Sequence, residues 1–282
     1  MDPQYFTGYN GLEIAASVSG DPSHQPIIFL HGGGQTRHSW KNAATDMAAA
    51  GYHVISIDLR GHGDSGWAAD GDYSLEAQCG DLRAIIATLK QPPALVGASL
   101  GGVISLLTAG ADDTSLASAL VLVDVVPRMD PEGIDKIQGF MAANPDGFTT
   151  VEEAADTVAR YMPHRPRPKN TDGLMKNLRR ADNGRLYWHW DPATRMGDPE
   201  SRMADMSTLM EQAAARLRIP VLLVKGQASE VVNDEGIKAL LALIPHAEMV
   251  DVKSAGHMVA GDSNDAFNSA VEDFLRRTVS AC

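Results

Sequence analysis

The chain has 282 residues, 44% apolar and 21% charged, a globular composition that excludes a disordered or fibrous protein. Its 24 Lys+Arg stand against 36 Asp+Glu, a formal net charge of −12, so nucleic acid and anionic membrane are repelled and neither is expected as a partner. Cys79 and Cys282 lie about 200 positions apart and offer no disulfide framework. No His or Cys pair has metal-ligand spacing, so neither a metal nor a cofactor is expected. Apolar strings such as Ala119–Val123 fall far below the ~18 residues of a membrane span. Met1-Asp2-Pro3-Gln4 opens no basic-then-apolar leader, so a cytoplasmic protein is expected.

Pro26–Leu30 reads as a buried strand running into His31-Gly32-Gly33-Gly34. A helix over Ser39–Ala50 and a strand over His53–Ile57 follow. Leu75–Leu89 repeats its leucines and isoleucines on one helical face, with Ser74 as N-cap. Ala94–Gly97 is a strand, Leu100–Leu107 opens a helix, and Ala119–Asp124 is the next strand. Apolar strands alternating with helices imply a parallel sheet covered on both faces.

From Pro127 to Arg218 the rhythm changes. No strand-like run is visible there, only helical stretches such as Val151–Tyr161 and Ser201–Leu217. It resumes with a strand at Pro220–Val224, a helix over Asn233–Ile244, a strand at Glu248–Val252 and a closing helix over Asn264–Arg277. The expected organisation is an α/β core over 1–126 and 219–282, with a helical insertion over 127–218.

Gly97-Ala98-Ser99-Leu100-Gly101 is a G-x-S-x-G between a strand and a helix, the sharp turn that lifts a serine above a sheet edge. The glycines suit a bend where a Cβ would clash, and the helix N-terminus sets N–H groups beside an oxyanion. A serine needs a base held by a third group. His257 falls between the last strand and the last helix, at the same carboxyl edge of the sheet, where ligands of open α/β sheets bind. His31 beside the glycine run reads as structural, and His62 in Asp58–Ser65 is a weaker candidate base. Asp124 and Glu230 both follow strand ends and either could orient the imidazole. The N–H groups of Gly33 and Leu100 are the candidate oxyanion hole.

Leu30-His31-Gly32 with Trp40, Asp58-Leu-Arg-Gly-His-Gly-Asp-Ser65, Gly97-Ala-Ser-Leu-Gly-Gly102 and Ala255-Gly-His-Met258 together resemble the alpha/beta-hydrolase superfamily over nearly the whole chain. The resemblance implies the alpha/beta-hydrolase fold, with the 127–218 insertion as a helical cap after the sixth strand. The local patterns are most similar to small esterases, epoxide hydrolases and dehalogenases. The last two use an aspartate nucleophile, whereas Ser99 here implies acyl transfer. Family members usually place an aspartate where this chain has Ser229, next to Glu230. Some take the acid instead from the end of the sixth strand, and Asp124, 25 residues after Ser99, is similar to that pattern. The resemblance thus favours Asp124 over Glu230.

The expected function is a serine hydrolase of carboxylic esters or lactones, without cofactor, as monomer or homodimer. A cofactor-free perhydrolase or a carbon–carbon bond hydrolase could reuse the same triad, and a small-ligand binder on the same scaffold is the non-catalytic alternative. Eight of the twelve methionines (Met129, Met141, Met162, Met175, Met196, Met203, Met206 and Met210) lie in the insertion, with Tyr161, Tyr187, Trp188 and Trp190. They suit an adaptable apolar lid, although packing accounts for most of them. Trp188 and Trp190, at alternate positions, are expected to face a substrate pocket. His164–Lys169 reads as a solvated loop, with carboxylate recognition by its arginines as the alternative.

Overall fold

Strands that are buried on both faces need no polar alternation, and Pro26–Leu30 (β3) shows why: all five residues are buried. Ile28 and Leu30 pack on one side of the sheet, Ile27 and Phe29 on the other. The computed structural model describes residues 3–111, 116–163, 167, 170–195, 199–253 and 264–279.

Around β3 lie Gln4–Thr7 (β1), Glu13–Ser19 (β2), His53–Ile57 (β4), Ala94–Ala98 (β5), Ala119–Val123 (β6), Val221–Gly226 (β9) and Glu248–Val252 (β10). They form one eight-stranded sheet in the order β1-β2-β4-β3-β5-β6-β9-β10. β2 pairs antiparallel with both neighbours, and every other pairing in this sheet is parallel. The sheet is therefore mostly parallel, as the sequence implies. β1 and β2 are additions: β1 is four residues long with none of them buried, and β2 mixes small and polar residues, so each carries little apolar signal.

One face is covered by Leu75–Ile86 (α2), Leu100–Ala109 (α3), Asp234–Leu243 (α7) and the end of Pro199–Arg216 (α6). The other is covered by Lys41–Ala49 (α1) and Asn264–Thr278 (α8), which bring Met47, Phe267, Val271 and Phe274 against Phe29, Val96 and Val121. Both layers are continuous apolar clusters, which makes the sheet a rigid platform. Ser74 caps α2 by accepting from the Ala77 N–H, as expected.

Between β6 and β9 run Pro131–Ala142 (α4), Val151–Tyr161 (α5), a hairpin of Leu178–Arg180 (β7) with Leu186–Trp188 (β8), and α6. None of these joins the main sheet. The hairpin corrects the strand-free reading of this stretch. Its strands are three residues each and have no alternation to detect, but Asn183-Gly184 at the turn, with Gly184 at φ +79°, is a hairpin signal that sequence reasoning passed over. Phe148, Leu186, Trp188 and Trp190 form a separate apolar cluster here. Met210, Ala213, Ala214 and Leu217 pack instead with the core beside α3 and β9. Among the described residues no helix is long and apolar enough to cross a membrane.

Candidate active site

The turn from β5 into α3 is built by exclusion. A Cβ on Gly97 would sit 2.3 Å from the Gly101 carbonyl oxygen, and one on Gly101 would sit 2.3 Å from that of Leu30. Only glycine fits at either position. Between them Ser99 adopts φ 47°, ψ −118°, a left-handed conformation that is costly for a residue with a side chain. Its N–H donates to the Val123 carbonyl at 3.1 Å, so the link to β6 persists through the bend. Its hydroxyl makes no capping bond to α3, which removes helix capping as its purpose. Ser99 instead lines a cavity of about 400 Å³ between the carboxyl edge of the sheet and the 127–218 segment.

The loop Gly32–Gly34 also lines this cavity, and an ideal Cβ on Gly32 would lie 3.3 Å from the Ser99 Cβ. Gly32 N–H donates to Gln35 Oε1 at 2.9 Å and Gly34 N–H to His62 Nε2 at 3.2 Å. Among the described residues, no acceptor is bonded to the N–H of Gly33 or of Leu100. Gly33 lines the cavity and Leu100 follows Ser99 at the start of α3, and two such donors beside a serine can stabilise an oxyanion. Gln35 was not singled out by sequence reasoning, because the loop gives no sign that its side chain folds back on Gly32.

His31 is fully buried. Its Nδ1–H donates to the Gly32 carbonyl at 2.8 Å and its Nε2 accepts from the Leu59 N–H at 3.0 Å. Burial pushes its pKa down to about 4, so it is a neutral strut, as the sequence suggested. His62 is likewise buried, with its pKa down to about 3, first through burial and then through His31. Both of its ring nitrogens are bonded to backbone, which leaves it no role as base. His257 lies outside the described residues.

Asp124 directly follows β6, at φ 51° and fully buried. Its N–H donates to the Val224 carbonyl at 2.8 Å. Its Oδ1 accepts from the Gly226 N–H at 3.1 Å, and its Oδ2 accepts from the Ser229 hydroxyl at 2.6 Å. Because Ala98 pairs with Val123, Ser99 and Asp124 are the next residues along adjacent parallel strands. Ser229, in place of the usual family aspartate, supports Asp124 instead; its oxygen also accepts from the N–H groups of Val231 and Val232. Glu230 turns away: it pairs with Lys136 at 3.0 Å, and its side chain is 62% exposed.

Trp188 and Trp190 both line the cavity, stacked with ring centroids 5.1 Å apart. Phe140 stacks on Tyr161 at 4.3 Å to form more of the wall. Of the insertion's methionines, Met141 and Met162 reach the cavity, Met210 is in the main core, and Met196 lies outside the described residues. Arg167 is the one charged side chain among the described lining residues, and its Nε donates to Asp156 at 2.6 Å. The rest of the His164–Lys169 run lies outside the described residues.

The alpha/beta hydrolase fold family matches over residues 25–263. The chain belongs to the alpha/beta hydrolase family. Esterase Rv0045c of Mycobacterium tuberculosis is 33% identical over 258 residues, covering 88% of this chain and 82% of that protein. The 3-hydroxybutyrate-oligomer hydrolase of Cupriavidus necator is 27% identical over 84% of each chain. A solved structure of Rv0045c superimposes with a TM-score of 0.74 at 28% identity, covering 97% of this chain and 91% of that one. That of E-2-(acetamidomethylene)succinate hydrolase does so with a TM-score of 0.81 at 21% identity, covering 97% and 98%.

Proposed function

We propose that this chain is a serine hydrolase that cleaves small apolar carboxylic esters or lactones through an acyl-enzyme on Ser99. The carrying observation is Ser99 held at φ 47° in the wall of an apolar cavity, beside the N–H groups of Gly33 and Leu100, which have no acceptor among the described residues. A left-handed serine between two obligatory glycines serves no packing purpose, and its presentation to a cavity of ligand size supports a nucleophile. Its similarity to a mycobacterial esterase and an oligoester hydrolase agrees with that reading.

In this scheme Ser99 Oγ attacks the ester carbonyl carbon while its proton passes to His257. Gly33 and Leu100 N–H hold the oxyanion, and the alcohol leaves with the proton from His257. Water, deprotonated by His257, then releases the acid and restores Ser99. Asp124 orients the imidazole and stabilises its charged form. The 127–218 segment acts as the cap, and its aromatic walls with Met141 and Met162 hold the apolar part of the substrate.

Ser99→Ala is expected to lower kcat about a millionfold on p-nitrophenyl esters, since members of a triad act as a unit. A fluorophosphonate probe is expected to label the wild type at Ser99 and not the variant. Ester turnover that survives in Ser99→Ala refutes the scheme.

A further inference from the structure

Resting on the acyl-transfer reading of Ser99, we propose that His62 is a positioning residue for the oxyanion donor, and that it links the seating of the 127–218 segment to that donor. The Gly32–Gly34 loop is pinned on both sides of Gly33. The Gly32 N–H is bonded to Gln35, and the Gly34 N–H, 3.2 Å from His62 Nε2, is bonded to the imidazole. Gly34 sits at φ +74°, so its amide direction is set by a conformation that few residues share. Gly33 lines the cavity between these two anchors, so in this proposal the orientation of its N–H depends on the acceptor that holds its neighbour.

The acceptor is itself placed. The His62 Nδ1–H donates to the Arg60 carbonyl at 3.0 Å, which fixes the ring plane and the tautomer that leaves Nε2 bare. Arg60 is clamped by Asp81 through bonds of 2.7 and 2.8 Å. From the insertion, Asp191 N–H donates to the Gly61 carbonyl at 2.8 Å, and His189 Nδ1 accepts from the Gly63 N–H at 2.6 Å. The residues flanking His62 are thus the seat of the insertion. Its ring faces His31 (centroids 5.2 Å apart), His189 (6.2 Å) and, more distantly, Asp58 and Asp191. Neutral imidazoles suit this place, since two positive rings at that spacing would repel.

Two substitutions separate the hydrogen bond from the bulk. Asparagine at 62 reaches the Nδ1 position and can keep the Arg60 bond, but has no atom at Nε2. Glutamine extends an oxygen toward the Nε2 position and cannot ionise. His62→Asn is expected to lower kcat about ten- to a hundredfold, with KM within about twofold, because an oxyanion donor is misplaced rather than removed. His62→Gln is expected to recover most of that loss. Phosphonylation of Ser99 by a fluorophosphonate should slow in parallel.

Equal kcat for the asparagine variant and the wild type overturns the proposal, as does an equal loss in both variants. A wild type that is neither labelled nor active refutes the hydrolase reading instead. The positioning claim is then decided by nitrogen-15 NMR of the wild-type imidazole at pH 7. A protonated Nδ1 with bare Nε2 supports it; the opposite tautomer or an imidazolium overturns it.

Discussion

Asp124→Asn and Glu230→Gln, measured side by side, decide which carboxylate serves the imidazole. Among its partners in the described residues, Asp124 accepts from the Gly226 N–H on one oxygen and from the Ser229 hydroxyl on the other. Asparagine turns one oxygen into an NH2 group. Facing Gly226, that group meets an N–H. Facing Ser229, it meets an oxygen whose two lone pairs are already taken by the Val231 and Val232 N–H groups. Either flip sets donor against donor in a buried site, at a cost of about 2 kcal/mol in stability. For a chain of 282 residues that lowers Tm by roughly 3–4 °C. The activity cost is larger: losing the carboxylate that orients the ring and balances the imidazolium costs about 10⁴ in kcat, some 5.5 kcal/mol of barrier.

Glu230 gives the contrasting case. Its pair with Lys136 joins side chains 62% and 57% exposed, an arrangement worth at most about 1 kcal/mol. Glu230→Gln is expected to keep kcat within about twofold and leave Tm unchanged. Initial rates on a short-chain p-nitrophenyl ester, with thermal melts on the same preparations, read both quantities. Wild-type-like turnover in Asp124→Asn, or a collapse of turnover in Glu230→Gln, refutes the assignment.

Gly101→Ala places a Cβ 2.3 Å from the Leu30 carbonyl oxygen and 2.7 Å from that of His31. Neither backbone atom can retreat, so a loss of about 3 kcal/mol is expected, and an unchanged melting temperature would contradict the packing of the turn. Folding stability should also depend on acid through His31, His62 and His189, which burial holds at pKa values of about 4, about 3 and about 2. Because these lie below the unfolded value of about 6.5, the unfolded chain binds protons that the native chain does not. Their contribution is full above about pH 6.5 and is lost as pH falls from there toward the folded values, at up to about 4 kcal/mol per pH unit for the three together. Denaturant midpoints at pH 7.5, 6 and 5 check this, and a flat series refutes it.

What was legible in the sequence follows from how each contact is encoded. Strands covered on both faces, such as Ile27–Leu30 and Leu120–Val123, are uninterrupted apolar runs and read directly. β1, β2 and the β7–β8 hairpin are short or wet on one side, so hydrophobic periodicity misses them. Ser99 is legible because crowding at the turn forces glycine at 97 and 101. Asp124 and Glu230 are not separable by the same means, since both follow strand ends. They part only in space, where Asp124 turns inward to Ser229 and Glu230 reaches Lys136 on α4. The bond between His189 and the Gly63 N–H joins residues 126 positions apart, and no local pattern announces it.

Two non-glycine residues with left-handed backbone, Ser99 and Asp124, stand side by side at the ends of β5 and β6. Glycine at either place would relieve about 1 kcal/mol of strain; at Asp124 the bonds from Gly226 and Ser229 offset that cost, whereas the Ser99 hydroxyl makes no capping bond that would. The strain is borne by the sheet. Ser99 N–H still bonds to Val123 and Asp124 N–H to Val224, so the parallel ladder continues through both bends and holds their φ angles. Each bend throws its side chain out of the sheet just where the apolar core ends. A hydroxyl and a carboxylate thereby share one rigid edge, and the chemistry proposed for this chain needs only an imidazole delivered between them.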